Sequence, residues 1–244
     1  RDSYKQFKVD CLSDIFRRGM AWHTYLNLEK DLIEVTRFVA LDEENGTVWS
    51  EKIAELLLLT GSKVDSLFKE MRKSSLLPRS NSLIALQNND KPTIQDYRKA
   101  YEPIYLLSGV RLEASHGLTN YGEIIPFEAF HDEKSPEWWE SYNLVKHDFF
   151  QNMREGTLDN LVRALGALFT LNVLHKDSQE YLVMRGVIGI HYLKIPKITE
   201  LRTDHTWNLI RNSFVGLPGN VAADVSASSE VFLHVFRKDP GTKA

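Results

Sequence analysis

The chain has 244 residues, 43% hydrophobic and 26% charged, the proportions of a folded globular protein and not of a disordered one. That length suits one large domain, or one domain with an appendage. Lys and Arg number 30 against 33 Asp and Glu, a formal charge of -3, so affinity for a phosphate backbone needs a local basic patch. The single cysteine, Cys11, excludes an internal disulfide and a thiolate zinc cluster; it reads as a small hydrophobe rather than a nucleophile.

The first residues, Arg1-Asp2-Ser3-Tyr4-Lys5, are too charged to open a secretory signal. The apolar run Leu56 to Leu59 falls far short of the roughly 20 residues a membrane-spanning helix needs. Together these features predict a cytoplasmic protein with no membrane segment, in which Asn45-Gly46-Thr47 is a turn and not a glycosylation site.

Helical spacing dominates the first three quarters of the chain. From Leu28 the apolar positions Leu32, Val35 and Val39 recur every three or four residues, with Ile33 and Phe38 widening the stripe. Asp42 to Gly46 then breaks the pattern. Ser50 is placed to cap a second helix whose buried face is Ile53, Leu56, Leu57, Val64, Leu67, Phe68 and Met71; Gly61 is a mild cost within it, not a stop. The stretch from Leu77-Pro78 to Lys91-Pro92 is irregular, with a short helix around Leu83 to Leu86. Thr93 and Asp96 form a capping-box pattern that opens a helix ending near Ser108-Gly109. Val110 to His131 reads as a long loop or weak hairpin, and loops of that length are often functional.

Ser135-Pro136-Glu137 predicts a helix start, with Ser135 as cap and Pro136 in the first turn. That helix carries Trp138, Trp139, Tyr142, Val145 and Phe149. Arg154 to Thr157 interrupts, and Thr157 caps a helix with the face Leu158, Leu161, Val162, Leu165, Leu168 and Phe169. Gln179 to Tyr192 is apolar and helical at first. Beyond Pro196 the pattern changes: Gly216-Leu217-Pro218-Gly219 is a turn, and Val231 to Phe236 is rich in strand formers. The expected fold is all-α, a helical bundle over residues 1–195, with a small mixed, partly β tail over 196–244.

Familiar catalytic signatures are absent. The chain has no G-x-x-x-x-G-K-[ST] or G-x-G-x-x-G cradle, no H-E-x-x-H and no G-x-S-x-G elbow, so neither a cofactor nor a metal is expected. The carboxylates at 42–44 read as a solvated acidic loop. The candidate site is on the helix Trp138 to Asp148. There Asn143 and His147 are four apart, as are Tyr142 and Lys146, so each pair shares a face. The cluster is suited to an anion: His147 exchanges a proton near neutral pH, and Lys146 can stabilise developing negative charge.

Over residues 28–176, the sequence Tyr142-Asn143-x-x-Lys146-His147 before a Leu/Ala-rich helix resembles the HEPN superfamily of helical domains. Many of its members are metal-independent RNases with Arg-x4–6-His, a polar residue after the Arg, and a site shared across a dimer. The resemblance implies His147 as catalytic base, Asn143 as the polar residue and Lys146 as charge stabiliser, with Tyr142 and Arg111 binding substrate. Tyr142 stands where the family has arginine, and a phenol lacks the permanent charge of a guanidinium. Other Arg–His pairs are present: Arg18–His23 and Arg111–His116 have four intervening residues, Arg17–His23 and Arg185–His191 five. Such pairs arise by chance, and none has Asn, Asp or His after the Arg.

The resemblance implies an RNA-associated homodimer of a toxin–antitoxin or antiviral defence system, either an RNase or its degenerate relative. The residues equally allow a noncatalytic module that binds a protein partner, with Trp138 and Trp139 as core and Asn143–His147 as a buried polar pair. In the tail, Arg202, Arg211, Arg237 and Lys238 offer a local basic patch or a plain solvated surface.

Overall fold

The computed structural model describes residues 2–74, 77, 79–114, 121–175, 181–182, 188–190, 225–227 and 232–237. Among them are seven α-helices: α1 (Asp2–Val35), α2 (Glu51–Met71), α3 (Asn81–Gln87), α4 (Ile94–Tyr105), α5 (Glu137–His147), α6 (Phe149–Asn152) and α7 (Leu158–Leu174). The strands are short: β1 (Val110–Ala114), β2 (Ile188–Ile190), β3 (Val225–Ala227) and β4 (Phe232–Arg237). The described part is therefore mainly α. Arg202, Arg211, Lys238, Cys11's side chain, the 216–219 turn and the His116 and Arg185–His191 pairings lie outside what is described.

Local chemistry sets the helix starts. Ser50 accepts the Ile53 N–H at 3.2 Å, Ser80 that of Leu83 at 3.1 Å, and Thr157 that of Asn160 at 3.3 Å, each satisfying a donor the helix cannot. At α4 the capping box is complete: Thr93 accepts the Asp96 N–H, and Asp96 accepts the Thr93 N–H at 2.8 Å. Four details differ from the sequence expectation. The Ser135 hydroxyl does not cap α5; it accepts from Gln95 at 3.5 Å, and Pro136, extended at ψ 141°, is the cap, its carbonyl accepting from Glu140. Phe38 is 88% exposed, because α1 ends at Val35 and the next residues turn. α4 stops at Tyr105, where Leu106 enters the left-handed region at φ 47° and a 3-10 turn takes Leu107 to Gly109. Phe149 falls beyond α5, which ends at His147 as Asp148 starts α6.

α7 is the centre of the packing. Of its 17 residues all but Asp159 and Arg163 are buried, so the apolar face read from sequence is part of a helix enclosed nearly all round. α2 crosses its start: Gly156 lies so close to Ala54 that a Cβ there would sit 2.6 Å from the Ala54 Cα. α1 covers another side, with Trp22 and Tyr25 ring centroids 6.0 and 5.4 Å from Phe169. α5 bridges α2 and α7. The Tyr142 ring occupies the space where a Gly61 Cβ would be, at 2.5 Å, and the Asn160 amide donates to Ser141 Oγ at 3.0 Å. Gly61 is thus the seat for an aromatic ring.

An unbroken run of aromatic contacts ties α4 to α5. Phe68 stacks on Tyr97 (4.6 Å) and Tyr101 (5.6 Å) and meets Phe127 edge-on at 5.8 Å; Phe127 meets Trp138 at 6.0 Å, Trp138 meets Trp139 at 5.6 Å, and Trp139 meets Tyr142 at 5.3 Å. Each such pair adds about 1 kcal/mol beyond the area it buries. The polar ends of these rings are satisfied: Trp138 Nε1 donates to the Pro126 carbonyl at 2.7 Å, Tyr101 to the Phe68 carbonyl at 2.9 Å, Tyr97 to Asp65 at 2.9 Å.

The segment after α4 does fold back as a weak hairpin. Leu112 and Ile124 exchange both backbone hydrogen bonds, at 2.8 and 2.9 Å, and Leu112 packs over Gly166 of α7. On its other edge β1 pairs antiparallel with β4, Arg111 opposite Phe236, while β2 pairs antiparallel with β3. The strand formers Phe232 to Phe236 therefore fall on β4, while Val231 lies outside the described residues. In the Gln179–Tyr192 stretch, Tyr181 and Leu182 are helical and buried, and residues 188–190 are extended.

Candidate functional site

α5 separates its residues into two sets. Trp138, Trp139, Ser141, Tyr142 and Val145 are buried. Asn143 is half-buried, and Lys146 and His147 are exposed in the last turn, where the negative end of the helix dipole favours cations. The sequence thus places Asn143, Lys146 and His147 at i, i+3 and i+4 on the outward side. The Tyr142–Lys146 pair is present as a cation–π contact, the ammonium 5.2 Å from the ring centroid. Tyr142 itself is only 3% exposed. Arg111, on β1, is ion-paired with Glu123. Among the described residues neither Lys146 nor His147 has an ion-pair partner.

The chain then turns sharply. Asp148 accepts the Gln151 N–H at 3.2 Å, starting α6, and the Asn152 amide reaches back to the Leu144 carbonyl at 3.0 Å. This turn pushes apolar side chains into solvent: Phe150 is 87% exposed and Leu144 48%. Phe149 lies edge-on to Phe150 at 5.7 Å. Arg154 follows in a 3-10 turn, its guanidinium 5.3 Å from the Trp49 ring centroid. Trp49 is 40% exposed and is held by its bridge to Thr157.

A second polar region was missed by the sequence reading. A cleft of about 500 Å³ is lined by Glu43, Tyr121, Glu123, Glu137, Glu155, Asp159 and Arg163, among others. At its wall Asp159 accepts from the Tyr121 hydroxyl at 2.7 Å and from Arg163 Nε at 2.7 Å. Burial raises the Tyr121 phenol well above its ordinary range, and the Asp159 carboxylate beside it adds to the rise. Burial opposes the Arg163 charge, but the hydrogen bond and attraction of Asp159 outweigh it, leaving the guanidinium more basic than usual. Glu43 is exposed, as expected of a solvated loop, and also accepts the Gly122 N–H at 2.9 Å across the cleft. The signal in the sequence was the Asp159–Arg163 spacing, the two residues of α7 that escape burial. No group of three or more His, Cys, Asp or Glu among the described residues is arranged to hold a metal, and no described helix is long and apolar enough to cross a membrane.

No family model matches this chain, and no curated protein or solved structure does. The cleft presents five carboxylates and one guanidinium, which repels phosphate. The α5–α6 corner presents Lys146, His147 and Arg154 together with the exposed acids Glu140, Asp148 and Glu155.

Proposed function

We propose that the chain is an RNA-associated helical domain of the HEPN kind that binds RNA through the outward side of α5 and does not cleave it. The observation that supports this reading is the exposure of Lys146 and His147 beside Asn143 within one helical turn. An ammonium contacts phosphate as a point charge, while the amide and imidazole donate hydrogen bonds to phosphate oxygens or a ribose hydroxyl. Cleavage by 2′-OH attack needs a base and a fixed positive charge on the phosphate together. His147 can serve as the base. The position of the family's arginine holds Tyr142, enclosed against Gly61, and Arg111 is neutralised by Glu123. Binding without turnover follows, in a dimer or a monomer, within a defence system of the toxin–antitoxin or antiviral type.

The test is binding and cleavage of labelled single-stranded RNA in EDTA, comparing the wild type with His147→Ala and Lys146→Ala. Binding without cleavage, weakened in both variants, is the expected result. Cleavage lost in His147→Ala would make the protein a metal-independent RNase. A second reading, a noncatalytic protein-interaction module, is favoured by the exposed Leu144 and Phe150, since apolar side chains grouped in solvent mark docking sites. A wild type that binds no RNA would leave that reading standing.

A further inference from the structure

We infer that the acidic cleft is a binding site for an alkylammonium ion, held by Glu137, Glu155 and the side-chain carbonyl of Asn160. The site is separate from the RNA reading and does not depend on it. Three of the cleft's carboxylates are already engaged: Asp159 by Tyr121 and Arg163, Glu123 by Arg111, and Glu43 by the Gly122 N–H. Glu137 and Glu155 are exposed and have no hydrogen bond or ion pair among the described residues. A chain of contacts sets them on one wall. Glu137 lies one helical turn before Ser141. Ser141 Oγ accepts from the Asn160 amide at 3.0 Å, and the same amide donates to the Glu155 carbonyl at 3.0 Å. Asn160 is the feature that points to a ligand independently of the acids. It is only 6% exposed, and the two bonds from its amide nitrogen fix the plane of the group. Its Oδ1 accepts no hydrogen bond among the described residues, yet it is not one of the fully enclosed unpaired atoms, so it opens to the cleft that Asn160 lines.

Two carboxylates and an amide carbonyl only accept hydrogen bonds, so the occupant brings the donors. An ammonium carries three N–H groups, one for each acceptor, and hydrogen bonds from a charged donor are roughly twice as strong as neutral ones. The guanidinium in the cleft, Arg163, is neutralised by Asp159 and does not compete. A bare metal ion is a poorer match, because no three of the described His, Cys, Asp and Glu residues are arranged to hold one. The cleft's volume of about 500 Å³ falls within the range of roughly 300–1,000 Å³ usual for small-molecule sites. It has room for the aliphatic stem behind the ammonium, in a free diamine or in a lysine side chain.

The experiment is calorimetric titration of the full chain, without RNA and at fixed ionic strength, with cadaverine, Nα-acetyl-lysine amide, tetramethylammonium and magnesium as probes. Cadaverine is expected to bind, and tetramethylammonium, which has the charge but no N–H, to bind at least about tenfold more weakly. Glu137→Gln and Glu155→Gln should each weaken cadaverine binding by about tenfold, the scale of one hydrogen bond to a charged group. Both side chains are exposed, so the melting curves should not move. Glu140→Gln, exposed on α5 but outside the cleft lining, should leave affinity unchanged. Acetyl-lysine amide binding as tightly as cadaverine would uphold the site with a lysine side chain as occupant; cadaverine alone would uphold it with a free diamine. Absence of binding by both alkylammonium probes would overturn the proposal. So would tetramethylammonium or magnesium binding as tightly as cadaverine, or an equal loss in Glu140→Gln, since each reduces the cleft to unspecific negative charge. None of these results bears on RNA binding at α5, which is measured separately.

Discussion

In the cleft, Asp159 carries a phenol on one oxygen and a guanidinium on the other, whereas at the α5–α6 corner the Lys146 ammonium and His147 imidazole face solvent with no ion pair among the described residues. Both regions are polar, both border α7 or α5, and both were open to a functional reading. The difference lies in how far each polar group is already satisfied. A donor or acceptor that has its partner inside the protein contributes to stability and gains little from a ligand. One left in water keeps its capacity to bind. On the proposed reading the cleft network belongs to the fold and the corner to a ligand.

The largest way to break that division is to remove what both regions stand on. Trp138→Ala deletes a ring that is 1% exposed, two edge-on aromatic contacts and the hydrogen bond to the Pro126 carbonyl. A loss of about 3–5 kcal/mol is expected, read by urea unfolding, and RNA binding should fall only to the extent that protein unfolds. A stability within 1 kcal/mol of wild type (roughly the effect of an ordinary surface change) would mean that the aromatic run from Phe68 to Tyr142 is not the support of α5.

Next in size is the cleft itself. Asp159→Ala leaves the Tyr121 hydroxyl and the Arg163 guanidinium without their shared acceptor, at a cost of about 2 kcal/mol. Single-stranded RNA affinity should be unchanged. If binding fell with stability intact, the cleft would be part of the ligand site and the division between the two regions would fail.

Much of this contrast was legible beforehand. The three-four spacing of Ile53 to Met71 and Leu158 to Phe169, the Ser50 and Thr157 caps and the Thr93–Asp96 box are local chemistry, and they lie where the sequence puts them. Asn143, Lys146 and His147 were legible for the same reason, being neighbours on one helix. The cleft was not, because Tyr121 and Asp159 are 38 residues apart and Glu43 and Gly122 are 79 apart; no periodicity links them. Ser135 was misread as a cap because sequence cannot show that Gln95 would hold its hydroxyl. Phe38 was misread because apolar spacing continues past the point where α1 turns. The β1–β4 pairing joins residues more than a hundred positions apart, beyond any local signal.

Alkaline pH sharpens the comparison without mutation. Burial raises the Tyr97 and Tyr101 phenols above their ordinary range, with the Asp65 carboxylate adding to the rise at Tyr97, and burial followed by Asp159 raises Tyr121. A phenol with a raised folded value stays neutral in the native state while the same residue ionises in the unfolded chain. Below about pH 10 both states hold the proton and its contribution is intact. As pH rises further the unfolded chain binds fewer protons, so stability falls. Urea midpoints should decline above about pH 10, and the tyrosinate absorbance from Tyr97, Tyr101 and Tyr121 should rise with unfolding rather than before it. Early titration of these three phenols in the folded protein would contradict their enclosure.

The smallest effect on stability is expected at the exposed α5–α6 corner. Phe150→Ala removes a ring that touches mostly water, so the unfolding free energy should stay within about 0.5 kcal/mol of wild type, with any change favouring the variant because an exposed apolar surface is lost. His147→Ala should be equally silent in the melting curve, since the imidazole makes no described hydrogen bond. Paired with the Asp159→Ala result, this gives a double dissociation: one substitution expected to move stability and not RNA affinity, and one, His147→Ala, expected to move affinity and not stability. A Phe150→Ala protein that lost stability would show that the ring is covered in solution, by a second copy or by another part of the chain. Sedimentation at rising concentration would then tell these apart, because only a second copy makes the loss depend on concentration.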